Sequence, residues 1–101
     1  DFDNVDYLPR FVLDNDVYIR LCAGRFDQSL TVRGNNFRLF GRVGPTKCGV
    51  GQWTSIGGNV EIYGNNAKFT NITFLGTVRV TGNGVEFINC CFQGGDPIYS
   101  N

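Results

Sequence analysis

An 18-residue internal repeat constrains the fold of this chain more than any other feature of its sequence. Residues 59–76 align without a gap on residues 77–94, and seven of the 18 aligned positions are identical. An earlier copy, LTVRGNNFRLFGRV, begins at Leu30. Its Gly-Asn-Asn corner starts at Gly34, and that of the next copy starts at Gly64, which is farther along the chain than one repeat length. The excess predicts an insertion within residues 43–58.

Each copy contains three apolar–polar–apolar triplets, which is the alternation of a β-strand. In the second copy these triplets are residues 60–62, 67–69 and 72–74. Too few residues separate them for a helix, and antiparallel hairpins would not require a fixed repeat length. A three-faced coil does require it, because each turn must lie on the turn below. The sequence therefore predicts an all-β fold, a small three-sided right-handed parallel β-helix of about three 18-residue rungs with capped ends.

The predicted stacking places each residue of one copy below the equivalent residue of the next copy. Opposite charges then meet on the outside, where Glu61 lies below Arg79 and Lys68 lies below Glu86. Such pairs contribute about 0.2–1 kcal/mol each, so they set the register more than they stabilise the fold. The predicted inward columns are Val32/Ile62/Val80, Leu39/Phe69/Phe87 and Phe74/Phe92.

The corners repeat as well, and they predict a ladder of asparagines. Asn35, Asn65 and Asn83 occupy the same position of successive copies, as in stacked parallel strands whose side-chain amides are joined. The glycine before each asparagine is expected to supply the positive φ that such a corner needs. These glycines are Gly34, Gly64 and Gly82.

The flanking segments are expected to cap the coil, because exposed strand edges invite polymerisation. We assign residues 1–16 to an N-terminal cap segment, residues 17–94 to the β-helix and residues 95–101 to a C-terminal tail or cap. Pro97 has no N–H with which to continue a ladder. The expected assembly is a monomer, or an end-to-end dimer if the caps are loose.

The order VYIRLCAGRFDQSLTVRGNNFRLFG followed by GNNAKFTNITFLG resembles the opening rungs of the pectin-lyase-like superfamily. The resemblance covers roughly residues 15–94 and implies the right-handed parallel β-helix of pectate lyases, pectinesterases and polygalacturonases. Those enzymes act on acidic polysaccharides with clustered Asp residues, often with Arg, His, Gln or bound Ca²⁺. Here Glu61 and Glu86 are the outward carboxylates of the repeats, and they fall on different sheets, so the paired acids of glycoside hydrolysis are missing. We therefore predict a protein that is not an enzyme, with a minimal polysaccharide-active enzyme as the alternative.

Composition excludes several partners and cofactors. Nine Lys+Arg balance nine Asp+Glu, which argues against nucleic acid as a partner. No histidine and no Cys-x-x-Cys pair is present, so the sequence predicts no metal site, no cofactor and no catalytic residues. No apolar run reaches the roughly 20 residues of a membrane span.

Four cysteines in a short chain indicate an oxidising compartment. A bond between Cys90 and Cys91 would close a strained ring, so Cys22 and Cys48 are each expected to pair with one of them, although three connectivities and free thiols remain open. The chain does not begin with Met, so we expect a processed, secreted protein. Asn71 begins an Asn-Ile-Thr sequon and is a candidate glycosylation site; alternatively it stacks on Asn89.

One predicted face carries a candidate ligand-binding row. A flat surface of aromatic, cationic and polar side chains can stack a sugar ring and bond its hydroxyls. The alternative is that Trp53 plugs a core end and Tyr63 is an ordinary strand aromatic. A second, basic cluster near the first rung either meets an acidic glycan or anionic lipid or is simply solvated. The ligand-binding row consists of Arg33, Trp53, Glu61, Tyr63, Arg79 and Thr81, and the basic cluster of Arg33, Arg38, Arg42 and Lys47.

Three functions compete on this basis. The first is a secreted, disulfide-stabilised module that binds a cell-wall or cell-surface carbohydrate. The second is a small secreted toxin, antifungal protein or host-directed effector of the same compact build. The third is an ice-binding protein, which the mixed charges of the outward rows disfavour because ice-binding faces usually present rows of small Thr-like residues.

Overall fold

The computed structural model describes residues 4–5, 8–42 and 54–100, and this part of the chain consists of short β-strands joined by tight corners. No helix occurs among these residues. The strands are β1 (Asn4–Val5), β2 (Phe11–Val12), β3 (Tyr18–Leu21), β4 (Gly24–Phe26), β5 (Leu30–Val32), β6 (Arg38–Phe40), β7 (Thr54–Ile56), β8 (Val60–Ile62), β9 (Lys68–Thr70), β10 (Ile72–Phe74), β11 (Val78–Val80), β12 (Glu86–Ile88), β13 (Cys91–Phe92) and β14 (Ile98–Tyr99).

The strands form three parallel sheets. Sheet 1 has the order β1-β3-β6-β9-β12, sheet 2 the order β4-β7-β10-β13, and sheet 3 the order β2-β5-β8-β11-β14. In every complete rung the chain passes from sheet 1 to sheet 2 to sheet 3 and then returns to sheet 1 one level higher. The predicted three-sided parallel β-helix is therefore confirmed.

The register follows the sequence repeat. In the upper rungs Val78 pairs with Val60 and Phe87 pairs with Phe69, which are the partners that the repeat alignment predicts. Lower down, the step from Leu30 to its partner Val60 is longer than one repeat, because the predicted insertion lies between β6 and β7. The ends of the insertion are joined by hydrogen bonds between Arg42 and Thr54, from the Arg42 N–H to Oγ1 at 2.8 Å and from the Thr54 N–H to the Arg42 carbonyl at 3.1 Å.

The flanking segments take part in the coil. Strands β1 and β2 add a partial rung below β3 and β5, and β14 extends sheet 3 directly after Pro97. Four complete rungs result, from β3 to β14, rather than about three. In the top rung the inward Phe87 and Phe92 are half-buried, whereas Phe69 below them is fully buried. The end-to-end dimer at this end stays a prediction.

Stacked phenylalanines fill the interior. Phe87 lies over Phe69 with 5.4 Å between ring centroids, and Phe92 lies over Phe74 with 5.2 Å. Phe37 was not among the predicted columns, yet it is fully buried and meets the edge of Phe69 at 5.7 Å. The three predicted inward columns are confirmed by the strand registers.

The asparagine ladder is present, but its bonds run from side chain to backbone. Asn35 Oδ1 accepts the N–H of Asn65 at 2.9 Å, and Asn65 Oδ1 accepts the N–H of Asn83 at 2.8 Å. Asn15 extends the ladder downward, because its Oδ1 accepts the N–H of Asn35 at 2.8 Å. Each rung is thus tied to the next at the same corner.

The prediction for the corner glycines is wrong, and the structure supplies a different reason for them. Positive φ occurs two residues after each glycine, at Asn36, Asn66 and Gly84, and not at the glycines themselves. A Cβ on Gly64 would instead overlap the carbonyl oxygen of Gly34 one rung below. The glycines are required because consecutive rungs approach each other closely here. Gly34 and Gly82 are crowded in the same way, by the carbonyls of Asp14 and Gly64.

The predicted pairing of Cys22 is also wrong. Cys22 and Cys90 are both free thiols. Cys22 lies just before β4, and Cys90 and Cys91 lie at β13, three strand positions higher in sheet 2. Three spacings amount to about 14 Å, and disulfides need Cα separations of about 4–7 Å. Cys91 is disulfide-bonded, and Cys48 lies outside the described residues.

Candidate functional site

The outer face of sheet 3 presents a row of side chains that runs along the coil. Strand pairing places Thr31, Glu61 and Arg79 directly above one another, while their neighbours along each strand point inward and are buried. A second row follows at the strand ends, where Arg33, Tyr63 and Thr81 succeed β5, β8 and β11. Phe11 lies below Thr31 and Ile98 lies above Arg79 in the first row.

Three of these residues form one connected unit. The guanidinium carbon of Arg33 lies 4.5 Å from the ring centroid of Tyr63, one rung above it. The Tyr63 hydroxyl donates a hydrogen bond of 3.0 Å to Glu61 Oε1. The guanidinium and the carboxylate together fix the orientation of the aromatic ring on an otherwise flat surface.

The electrostatic setting of Tyr63 follows from these contacts. The pKa of Tyr63 is raised above its ordinary value, first by the hydrogen bond to Glu61 and then by the negative charge of that carboxylate, while Arg33 and Arg79 oppose the change. Deprotonation of Tyr63 removes the donated proton and places two negative charges side by side, and this is why the pKa is raised.

We expect the Tyr63 hydroxyl to titrate later than an ordinary tyrosine, and Glu61→Gln to bring its pKa down. Because the folded-state pKa is raised, the associated stability is fully present below pH 10 and is lost as the pH rises through the folded-state pKa. The ¹³Cζ shift of Tyr63 followed against pH measures this. Glu86→Gln, on sheet 1, is the control; an unchanged midpoint in Glu61→Gln would contradict the assignment.

A groove follows the corner between sheets 2 and 3 and opens onto the same face. It consists of a lower cavity of about 380 Å³ and an upper cavity of about 200 Å³. Their linings follow each other along the same corner, because Gly58 lines the first cavity and Asn59 lines the second. We call them together the corner groove. It is lined below by Arg10, Asp27, Gln28, Ser29, Gly57 and Gly58, and above by Asn59, Val60, Glu61, Thr77 and Arg79.

Of the residues that line the corner groove, Glu61 and Arg79 were predicted from the sequence as binding residues and the others were not. Its walls come from turn residues, and the repeat predicts strand positions better than the shapes of turns. Asn59 is held in place because its Oδ1 accepts the N–H of Thr77 at 3.0 Å. Arg25 Nε donates to Asp27 at the lower end. The paired glycines Gly57 and Gly58 were the signal in the sequence that this corner lacks bulky side chains.

Apolar side chains frame this polar surface. Five of the seven large hydrophobic residues that are exposed in the described structure lie along sheet 3 or at its strand ends. The exposed fraction reaches 64% for Phe11 and 67% for Leu13, at the lower end of the face. The five are Phe11, Leu13, Tyr63, Ile98 and Tyr99, of which Tyr99 pairs with the inward Val80 and lies at the top of the coil rather than on the outer face.

The outer side of sheet 2 does not offer a comparable face. Ser55 and Thr73 pair in register and lie between the inward positions of their strands, yet both are fully buried. Their hydroxyls have no hydrogen-bond partner among the described groups. Among the described residues, the middle strands of sheet 2 are therefore closed to a ligand at Ser55 and Thr73.

The structure brings together five of the six residues predicted for the ligand-binding row, and Trp53 lies outside the described residues. Asn71 is half-buried, and its Oδ1 accepts a hydrogen bond of 2.7 Å from Asn89 Nδ2. Its glycosylation stays a prediction. The basic cluster is divided, because Arg33 follows β5 of sheet 3 and Arg38 begins β6 of sheet 1, while Lys47 is outside the described residues.

The described carboxylates are dispersed over the coil. Glu61 lies on sheet 3 and Glu86 on sheet 1, so they do not face a common substrate position. Among the described residues no group of three or more His, Cys, Asp or Glu side chains is placed to hold a metal ion. That portion of the chain also has no helix long and apolar enough to cross a membrane.

Comparisons with protein-family models, with curated proteins and with solved structures give no match for this chain.

Proposed function

We propose that this chain is a secreted, disulfide-stabilised, non-enzymatic β-helix module that binds a cell-wall or cell-surface carbohydrate on the outer face of sheet 3. One observation carries the proposal: exposed aromatic rings, hydrogen-bonding side chains and the corner groove share one flat face. We also propose that the chain is a short relative of the pectin-lyase-like superfamily without its clustered acids.

The chemistry of a sugar ring suits this combination. A pyranose has an apolar face of C–H groups and a rim of hydroxyls, so it needs an aromatic or aliphatic platform beside donors and acceptors. Phe11 and Leu13 supply exposed apolar surface at the lower end. Arg79 and Glu61 line the upper cavity of the corner groove with a donor and an acceptor.

The rigidity and periodicity of the face favour an extended polymer. Strands of a sheet lie about 4.8 Å apart, so a polysaccharide that lies along the coil axis meets the next side chain of each row at every strand. Backbone ladders and asparagine bonds hold these rows in place before a ligand arrives. Less entropy is then lost on binding than at a mobile loop.

A glycan array followed by calorimetry with the best polysaccharide tests the proposal. We expect Phe11→Ala and Arg79→Ala each to weaken binding about tenfold, a loss of about 1.4 kcal/mol per site. Arg20→Ala is the matched control, because Arg20 is an exposed arginine on β3 of sheet 1, away from the corner groove. Absence of any glycan ligand, or equal losses in the control, would refute the proposal.

The exposed apolar residues also favour a second candidate, a small toxin, antifungal protein or effector that docks on a protein. Phe11 and Leu13 expose 64% and 67% of their surface side by side at the lower end of the face, and exposed apolar side chains that cluster in this way mark protein interaction sites. This candidate predicts fungal growth inhibition or capture of a protein partner that Phe11→Ala weakens, with no binding on the glycan array.

A further inference from the structure

A cleft at the corner between sheets 3 and 1 forms a second polar site, separate from the outer face of sheet 3. It has a volume of about 270 Å³. We call it the sheet 1 cleft. Its polar lining consists of Asn36, Arg38, Asn66, Lys68 and Glu86.

Two cations stand side by side in this cleft. Arg38 on β6 and Lys68 on β9 are direct partners in the parallel ladder, one strand spacing apart. Like charges directly opposite each other in a sheet are destabilising. The two cations are nevertheless adjacent in this fold, and neighbouring groups hold Arg38 in a fixed position.

Arg38 is fixed by backbone carbonyls. Its Nη1 donates at 2.8 Å to the carbonyl oxygen of Asn66 in the next rung, and at 3.4 Å to that of Phe37. A guanidinium has five N–H donors in a rigid fork. The two Nη1 protons account for these contacts, and no described residue accepts the Nε and Nη2 protons, which are therefore offered to a ligand.

The nearby carboxylates offset the positive charge incompletely. Lys68 Nζ lies 3.7 Å from Glu86 Oε1, beyond ordinary hydrogen-bond distance, and the Glu86 side chain is 62% exposed. Asp16, one rung below Asn36, accepts a hydrogen bond of 3.0 Å from Asn36 Nδ2. Within the cleft lining itself, two cations therefore face one loosely engaged carboxylate.

We propose that the sheet 1 cleft binds a tetrahedral oxyanion, a phosphate or sulfate group, either free or carried as an ester. The Arg38 fork meets two oxygens of such a group, and the Lys68 ammonium supplies a compact charge beside it. The anion relieves the repulsion between the two cations and displaces Glu86 from Lys68. This site is independent of carbohydrate binding on sheet 3.

The test is a ¹H–¹⁵N NMR titration of the whole chain with inorganic phosphate, inorganic sulfate and methyl phosphate at constant ionic strength. We expect saturable shifts confined to the amides of residues 36–38, 66–68 and 84–86. Arg38→Gln and Lys68→Gln should each weaken binding about tenfold. Glu86→Gln should strengthen it about threefold, because it removes the competing carboxylate.

Arg25→Gln on sheet 2 is the control and should leave the affinity unchanged. Shifts that do not saturate, that spread over the whole surface, or that weaken in Glu86→Gln would overturn the proposal. If Arg38→Gln loses its dispersed native spectrum, the opposite effects expected of Lys68→Gln and Glu86→Gln still decide the matter. Binding of methyl phosphate but not of inorganic phosphate would assign the site to esters, and the reverse would assign it to the free ion.

Discussion

Replacement of Phe69 by alanine is expected to lower the free energy of unfolding by about 3–5 kcal/mol. Phe69 is fully buried, and its ring lies 5.4 Å from Phe87, 5.7 Å from Phe37 and 5.8 Å from Phe74. Its removal leaves a cavity at the centre of three sheets, where backbone ladders prevent the walls from closing in. A loss of this size is a large fraction of the stability of a domain of this length.

Urea denaturation followed by circular dichroism measures the effect of Phe69→Ala. Phe11→Ala is the matched control, because it removes the same side chain from a position that is 64% exposed on sheet 3. We expect its midpoint to move little. Equal losses in the two variants, or a loss below about 1 kcal/mol in Phe69→Ala, would contradict the stacked aromatic core.

Addition of a single methyl group at the corner, in Gly64→Ala, is expected to cost about 3 kcal/mol, at the upper end of the range for overpacking. The new Cβ would overlap the carbonyl oxygen of Gly34, which is backbone and cannot rotate away. The same rungs are held by the hydrogen bond from the Gly64 N–H to the Val32 carbonyl at 3.2 Å. The two rungs can relieve this overlap only by moving apart, and this movement weakens the backbone hydrogen bonds on both sides of the corner.

Asn66→Gly is the control for Gly64→Ala, because Asn66 is the corner residue with a φ of 61°. Glycine adopts that conformation readily, so the free energy of unfolding measured in urea should change by only about a few tenths of a kcal/mol. If Gly64→Ala were tolerated and Asn66→Gly were severely destabilising, our account of the corner would be wrong.

The upper rungs were the region of the fold most open to prediction. In a parallel coil each strand pairs with its own image one repeat away, so the alignment of 59–76 with 77–94 also specifies the strand partners. Inward positions such as Phe74 and Phe92 follow directly, because the alternation within each strand decides which side chains face the core.

The lowest rungs were harder to predict because their sequence departs from the repeat. In the sequence Asp14-Asn15-Asp16 looks like a close pair of acidic residues, yet it lies between β2 and β3 and forms the first corner of the series. Asn15 occupies the ladder position, and Asp16 has the same φ of 61° as Asn36 above it. Asp14 takes the place of the corner glycine. The step from Tyr18 to its partner Arg38 is also longer than one repeat, so the 18-residue spacing does not show that this segment is a corner.

The site shows the same division between strands and turns. The alternation of β8 and β11 was enough to place Glu61 and Arg79 together. The corner groove arises from turn residues of successive rungs, such as Asp27 and Gly57, whose proximity depends on how closely the corners pack. The positions of the cysteines in the sequence likewise do not show on which rung each cysteine lies. For this reason the predicted pairing of Cys22 was wrong.

Scalar couplings across hydrogen bonds test the parallel stacking most directly. A long-range HNCO experiment correlates an amide nitrogen with the carbonyl carbon that accepts its proton. We expect correlations from Thr81 to Ile62 and from Tyr63 to Val32, whose N···O distances are 2.8 and 2.7 Å. Correlations that instead join neighbouring triplets within one repeat, as in antiparallel hairpins, would contradict the coil and the surfaces built on it.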